Sequence, residues 1–152
     1  MTAQQSIRDR TPAPADATTT RRLIFSTLSG LAGLAILLQG LWAGEFLQYH
    51  GTATQTQRDS WINVHARGGE VAIALALIAT IWALLRLRSR LDLLIGSAVL
   101  SVLLIAVAYV GGLISENNMD NLIPLHIPLA LATLALAVWV TWQGLRARRT
   151  DH

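Results

Sequence analysis

Four long apolar runs constrain this chain more than any other feature. They cover about 23–47, 66–87, 91–114 and 124–145. A helix needs about 20 apolar residues to cross the hydrocarbon of a bilayer, and each run is long enough. In hydrocarbon every backbone N–H and C=O must be paired inside the protein, so such runs become helices. The connections are short, which makes neighbouring helices antiparallel. The expected fold is therefore all-α, an integral membrane four-helix bundle of up-down-up-down topology over 21–148. The preceding stretch, 1–20, is rich in Thr, Ala, Pro and charge, and a disordered cytoplasmic tail is expected there. The run after Arg21 and Arg22 is too long for the apolar part of a signal peptide, so it is taken as a retained helix.

Composition agrees with a membrane domain. Charged residues make up 14% of the 152 residues and hydrophobic residues 53%, against about 25% charged in average soluble proteins. There is no cysteine, which excludes disulfides, zinc–thiolate sites, iron–sulfur clusters and thiol nucleophiles. All 12 basic residues are arginine, so lysine Schiff bases and a P-loop lysine are excluded as well. There is no GxSxG motif and no dinucleotide fingerprint. A net charge of +3 could suggest nucleic acid, but the arginines sit at the ends of the apolar runs, and no nucleic-acid partner is expected.

Arginine placement sets the expected topology. Arg8, Arg10, Arg21, Arg22, Arg86, Arg88, Arg90, Arg146, Arg148 and Arg149 fall on one side, and only Arg58 and Arg67 on the other. The positive-inside rule then puts both termini in the cytoplasm of a bacterial inner membrane. The loops Gln48–Val64 and Ser115–Ile123 would face outward. Trp42 and Trp61 would mark the outer interface, and Trp82, Trp139 and Trp142 the inner one.

Of the four histidines, His152 is terminal and His50 falls in the outer loop. His65 and His126 open the second and fourth runs at matching depth. Small residues follow them at helical spacing: Gly68, Gly69, Ala72, Ala76 and Ala79 after His65, and Ala130, Thr133 and Ala137 after His126. Gly30, Gly33, Gly40 and Gly44 share a face of the first run. Ser97, Ser101, Ala108, Gly112 and Ser115 share a face of the third, where Gly111 also lies. Small residues let membrane helices approach closely, and they leave a slot wherever the helices do not close. Two imidazoles on either side of such a slot suit the axial positions of a b-type haem. Without cysteine the haem would be non-covalent. Arg67 or Arg58 would pair with its carboxylates. The bland alternative makes both histidines polar residues at helix starts.

Glu45 and Glu70 are carboxylates close to the spans, suited to a proton relay or to interfacial water. Glu70 can pair with Arg67 at i, i+3. Gln39 is placed to bond across helices, and Asp92 reads as a helix N-terminal acid. Pro124 and Pro128 flank His126, and an irregular first turn is expected there. Each helical pair ends its first member in glycines and opens its second with a histidine, a hint of internal duplication.

The layout resembles one half of haem A synthase, a family of two four-helix bundles. In each of those bundles a histidine on the second helix and one on the fourth hold haem near the outer face. Carried over by position, these are His65 and His126. The resemblance implies the two histidines as iron ligands; with the arginine and the small-residue slot read from the sequence, the expected cofactor site is His65, His126, Arg67, Gly68, Gly69, Gly111 and Gly112. This chain has one bundle, lacks the outer-loop cysteine pair of many members, and has Ile62 where the family has an acidic residue. It also resembles a group of small four-span bacterial membrane proteins with the same histidine and glycine placement. Electron transfer or haem handling is the expected function. The competing expectation is a non-catalytic subunit or scaffold packing against a membrane-protein partner or a second copy. A transport or quinone site using Glu45 and Glu70 is a third.

Overall fold

The computed structural model describes residues 17–49 and 54–146. Four helices follow in order: α1 (Ala17–Leu47), α2 (Gln55–Arg86), α3 (Leu91–Asn117) and, after a 3₁₀ turn at Asp120–Leu122, α4 (Ile123–Leu145). All four are long and apolar enough to cross a membrane. They pack in ring order, α1 on α2, α2 on α3, α3 on α4 and α4 on α1. That order leaves α2 and α4 diagonal.

Helix boundaries differ from the expectation in three places. Ala17–Thr20 belong to α1 rather than to a tail, because nothing in that Thr-rich stretch breaks the helix and Trp82 Nε1 bonds the Arg21 carbonyl at 3.0 Å. Most of the Gln48–Val64 loop is helix. α2 begins at Gln55, so at 1.5 Å per residue it is about 48 Å long and outreaches a hydrocarbon core of about 30 Å. Gln55–Ser60 are exposed there, while Trp61 and Ile62 are half-buried. The Ser115–Ile123 loop shortens likewise, because α3 runs on to Asn117 and ends in a left-handed residue, Asn118 (φ 54°). His50, His152, Arg8, Arg10, Arg148 and Arg149 lie outside the described residues.

Residue size is distributed inside-out relative to a water-soluble bundle. Ala32, Ala72, Ala76, Ala79, Ala83 and Ala137 have no exposure at all, whereas Leu37, Val102 and Leu131 are 58%, 66% and 62% exposed. Lipid solvates large apolar side chains as well as a core does, so association rests on close backbone approach and on interhelical hydrogen bonds. Both occur here. Gly30 and Gly33 lie against Thr141 and Ala137, Gly96 against Trp139 and Val140, and Gly144 against Phe25 and Ser26. Ser29 and Thr141 hydroxyls bond at 3.2 Å, and Thr80 and Ser101 at 3.1 Å.

The packing is concentrated at the end that carries Ala17 and Leu145. Arg22 bonds the Arg146 carbonyl at 3.0 Å, and Arg90 bonds both Asp92 and the Gln143 carbonyl. Arg86 and Arg146 sit over the Trp82 and Trp142 rings. The two core clusters, one around Phe25, Leu93 and Val140 and the other around Ala32, Ala72 and Leu104, fill this end and the middle. Buried residues stop at Ile36 on α1 and at Leu104 on α3, and start at Thr133 on α4. Neither cluster reaches the opposite end.

Two glycine substitutions test this division. A Cβ at Gly144 would collide with Phe25 and Ser26, whereas one at Gly40 meets nothing within 4 Å. Gly144→Leu is expected to cost about 1–3 kcal/mol by overpacking and to lower the thermal midpoint in detergent. Gly40→Leu is expected to leave that midpoint unchanged, and circular dichroism melts check both.

Candidate functional site: the histidine end of the bundle

His65 lies near the start of α2's apolar segment, on the face that continues through Gly68, Ala72 and Ala76. Its Nδ1 is 3.2 Å from the Gln39 carbonyl on α1, and Phe46 meets its ring edge-on at 5.6 Å between centroids. A carbonyl oxygen can only accept, so Nδ1 carries the proton and Nε2 keeps its lone pair. Metal-binding histidines are commonly oriented this way, with one ring nitrogen donating to a carbonyl and the other free to bind. Gln39 was expected to bond across helices with its side chain. Instead its amide returns to Ala35 of its own helix at 3.2 Å, and the cross-helix bond goes through its backbone oxygen.

His126 sits in the first turns of α4, behind Pro124. The helix runs from Ile123 through Pro128 without interruption, so the irregular first turn expected between Pro124 and Pro128 does not form; a 3₁₀ turn at Asp120–Leu122 precedes the helix instead. The ring of His126 lies on Gly111 of α3, where a Cβ would be 3.1 Å from Cε1. It also interacts with the Val107 carbonyl, but Nδ1 is buried and makes no hydrogen bond to a described residue. The two imidazoles come from diagonal helices and lie close enough to interact electrostatically.

The glycines at this end fall into two groups. Gly68 is covered by Trp42 and Gln39, and Gly111 by His126. These contacts close each hairpin, α1 on α2 and α3 on α4. Gly40, Gly44, Gly69 and Gly112 have nothing within 4 Å. By helical spacing Gly69 continues the Ala72–Ala76–Thr80 face of α2, and Gly112 continues the Ser97–Ser101 face of α3. Gly40 and Gly44 continue the Gly30–Gly33 face of α1, which meets α4 lower down. The open glycines are thus those turned toward the other hairpin. Ala108 and Ser115, on the same α3 face as the buried Ser97 and Ser101, are exposed for the same reason. The seams between the hairpins thus carry open glycines at this end, and His65 and His126 come from opposite hairpins.

Of the expected binding residues, His65, His126, Gly69 and Gly112 border the space between the hairpins at this end. Gly68 and Gly111 act one step back, letting Trp42 and His126 pack within their hairpins. Arg67 is placed differently. It lies about 200° around α2 from His65, its side chain is 79% exposed, and it pairs with Glu70 at 2.8 Å. Arg58 lies two turns above His65 on the same face of α2 and is exposed, so it is the arginine aligned with the gap. Glu45 accepts a bond from Gln48 at 2.6 Å. The sequence reading placed Trp61 at the outer interface without linking it to His65, and missed Leu122; each lies four residues before one of the histidines and is half-buried. Their spacing was the available signal.

Among the described residues no group of three or more His, Cys, Asp or Glu could hold a bare metal ion. Comparison with known proteins found no match: no protein-family model fits the chain, and no curated protein or solved structure is significantly similar to it.

The tautomer assignment is directly measurable. In lipid-reconstituted protein labelled with ¹⁵N-histidine at pH 8, His65 is expected as the Nδ1–H form. Gly111→Ala should shift the His126 resonances and leave those of His65 in place. An Nε2–H His65 would contradict the Gln39 bond.

Proposed function

We propose that this chain is a multi-pass bacterial inner-membrane protein that holds one b-type haem between His65 and His126. The arginine-rich end, with both termini, faces the cytoplasm in this reading. The observation that carries it is the pair of half-buried imidazoles on diagonal helices, at the end of the bundle where Gly69 and Gly112 have nothing within 4 Å. A tetrahedral zinc site asks for three or four protein ligands, whereas a haem brings four of its own and asks for two. His65 is already held in the form that leaves Nε2 free. His126 is seated on Gly111 of α3, with its ring beside the Val107 carbonyl.

The chain's residues divide the work. Gln39 orients His65 through its backbone carbonyl, and Gly111 seats His126. Gly69 and Gly112 leave room for a flat ring. Arg58 would pair with carboxylates at the outer edge, a role guanidinium geometry suits; Arg67, committed to Glu70, is not assigned it. Phe46, Trp61 and Leu122 limit water above the histidines. When bound, the haem supplies a one-electron redox centre, and the function is electron transfer or haem handling.

A visible spectrum of purified protein, oxidised and then reduced, tests this reading. Narrow α and β bands on reduction are expected, as for six-coordinate low-spin haem. His65→Ala and His126→Ala should each abolish them, and haem retained unchanged in both single variants would sink the assignment. Arg58→Gln should weaken haem binding about two- to fivefold, the range of an exposed ion pair, with Arg67→Gln leaving it unchanged. A colourless protein from haem-replete cells would move the function to a scaffold packing against a partner complex.

A further inference from the structure

We propose that the site exchanges its ligand sideways with the bilayer, through a mouth between α1 and α4, and not with the aqueous phase above it. The inference deepens the haem reading: it names the source of the ligand as the membrane and its class as a flat, lipid-partitioned molecule.

Three observations support it. First, α1 and α4 are locked together at one end only. Arg22 to Arg146, Ser29 to Thr141, Gly30 on Thr141 and Gly33 on Ala137 all lie toward the termini. Gly40 and Gly44 continue that α1 face, yet they are exposed and nothing stands within 4 Å of either. Opposite them by the same register lie Ala130 and His126, half-buried, and the exposed Ile127. The side wall of the bundle is therefore open at the depth of the histidines.

Second, the way up is obstructed. Trp61 stands one turn above His65 on α2, Leu122 one turn above His126, and Phe46 lies edge-on against His65. These are apolar, half-buried side chains at or one turn above the level of the histidines, where polar residues would let water in.

Third, the opposite seam is less exposed at this level: Gly69 and Gly112, on α2 and α3, are half-buried, in contrast to the exposed Gly40 and Gly44. A ligand leaving the gap meets the least protein between α1 and α4.

The native chain has no cysteine, so single-cysteine variants give a clean test. Gly112→Cys places a thiol in the gap. In membranes its labelling by an apolar maleimide and by a charged thiosulfonate is measured. Val102→Cys serves as the lipid-facing reference and Ser60→Cys as the aqueous one. Charge disfavours passage through hydrocarbon strongly, so the apolar reagent is expected to label the Gly112→Cys thiol about 100-fold faster than the charged one, relative to these references. Adding Gly40→Leu and Gly44→Leu, which have space for their side chains, should narrow the mouth. Apolar labelling of the Gly112→Cys thiol should then slow several-fold, and in the cysteine-free chain the same two leucines should slow haem uptake from vesicles several-fold, with the final haem content unchanged.

A charged reagent that reaches the Gly112→Cys thiol as readily as the Ser60→Cys thiol would overturn the proposal. So would leucine substitutions that leave apolar labelling unaffected. Lateral labelling in a protein that takes up no haem would uphold the mouth and sink the haem assignment, so the two failures are distinguishable.

Discussion

Close approach of small residues is the constraint on which this structure depends. In a bilayer a leucine gains little by leaving lipid for protein, so helices hold together where backbones can touch and hydroxyls can bond. The chain meets this with alanines at every buried position of α2 below Gly68, and with Ser29, Thr80, Ser101 and Thr141 crossing between helices. Larger side chains enter the interior mainly toward the termini, where Phe25, Leu93 and Val140 fill the space between all four helices. Towards the other end no such filler is present. Each hairpin keeps its own contact, Trp42 over Gly68 and His126 on Gly111, but nothing draws the hairpins together. One closed end and one divided end follow from where the sequence places its large interior residues.

That division determines what the histidines can do. An imidazole at the edge of hydrocarbon needs a partner for each polar atom, because an unpaired one costs far more there than in water. His65 meets half its need by donating to the Gln39 carbonyl, an oxygen already in use within its own helix. His126 leaves its buried Nδ1 unmatched. If the gap were filled by protein, the same helices could supply a serine or threonine, as they do at Thr80 and Ser101. None is supplied at the histidine level.

Much of this was legible in the sequence, since lipid makes the code simple. Run lengths predicted four helices, and the matched positions of His65 and His126 predicted a shared depth. The limits of the reading are physical too. The extension of α2 back to Gln55 was hidden because QTQRDS is polar, and hydropathy locates the membrane portion of a helix, not its end. The pairing of Arg67 with Glu70 was foreseen as a local possibility, but its consequence, that Arg67 turns away from the histidines, needed the helix phase to be fixed. The glycines were the hardest to read. Gly40 and Gly68 look alike in a sequence, and only the structure shows that one is open and the other lies under Trp42.

The same glycines serve two different functions in principle, binding a partner helix or leaving room for a flat cofactor, and dimensions favour the second at this site. A helix with its side chains is about 10–12 Å across, and packed helix axes stand about 8–10 Å apart. A helix inserted between the hairpins would separate His65 from His126 by its full width and would need the termini end to open as well. There the Arg22–Arg146, Ser29–Thr141 and Thr80–Ser101 bonds hold the hairpins together. A planar ring is one atom thick and asks for no such separation. A partner helix would find more space on the outer face of α2, where the exposed Arg67–Glu70 pair lies beside Gly68 and Val71. Binding there and binding between the histidines do not compete for the same surface.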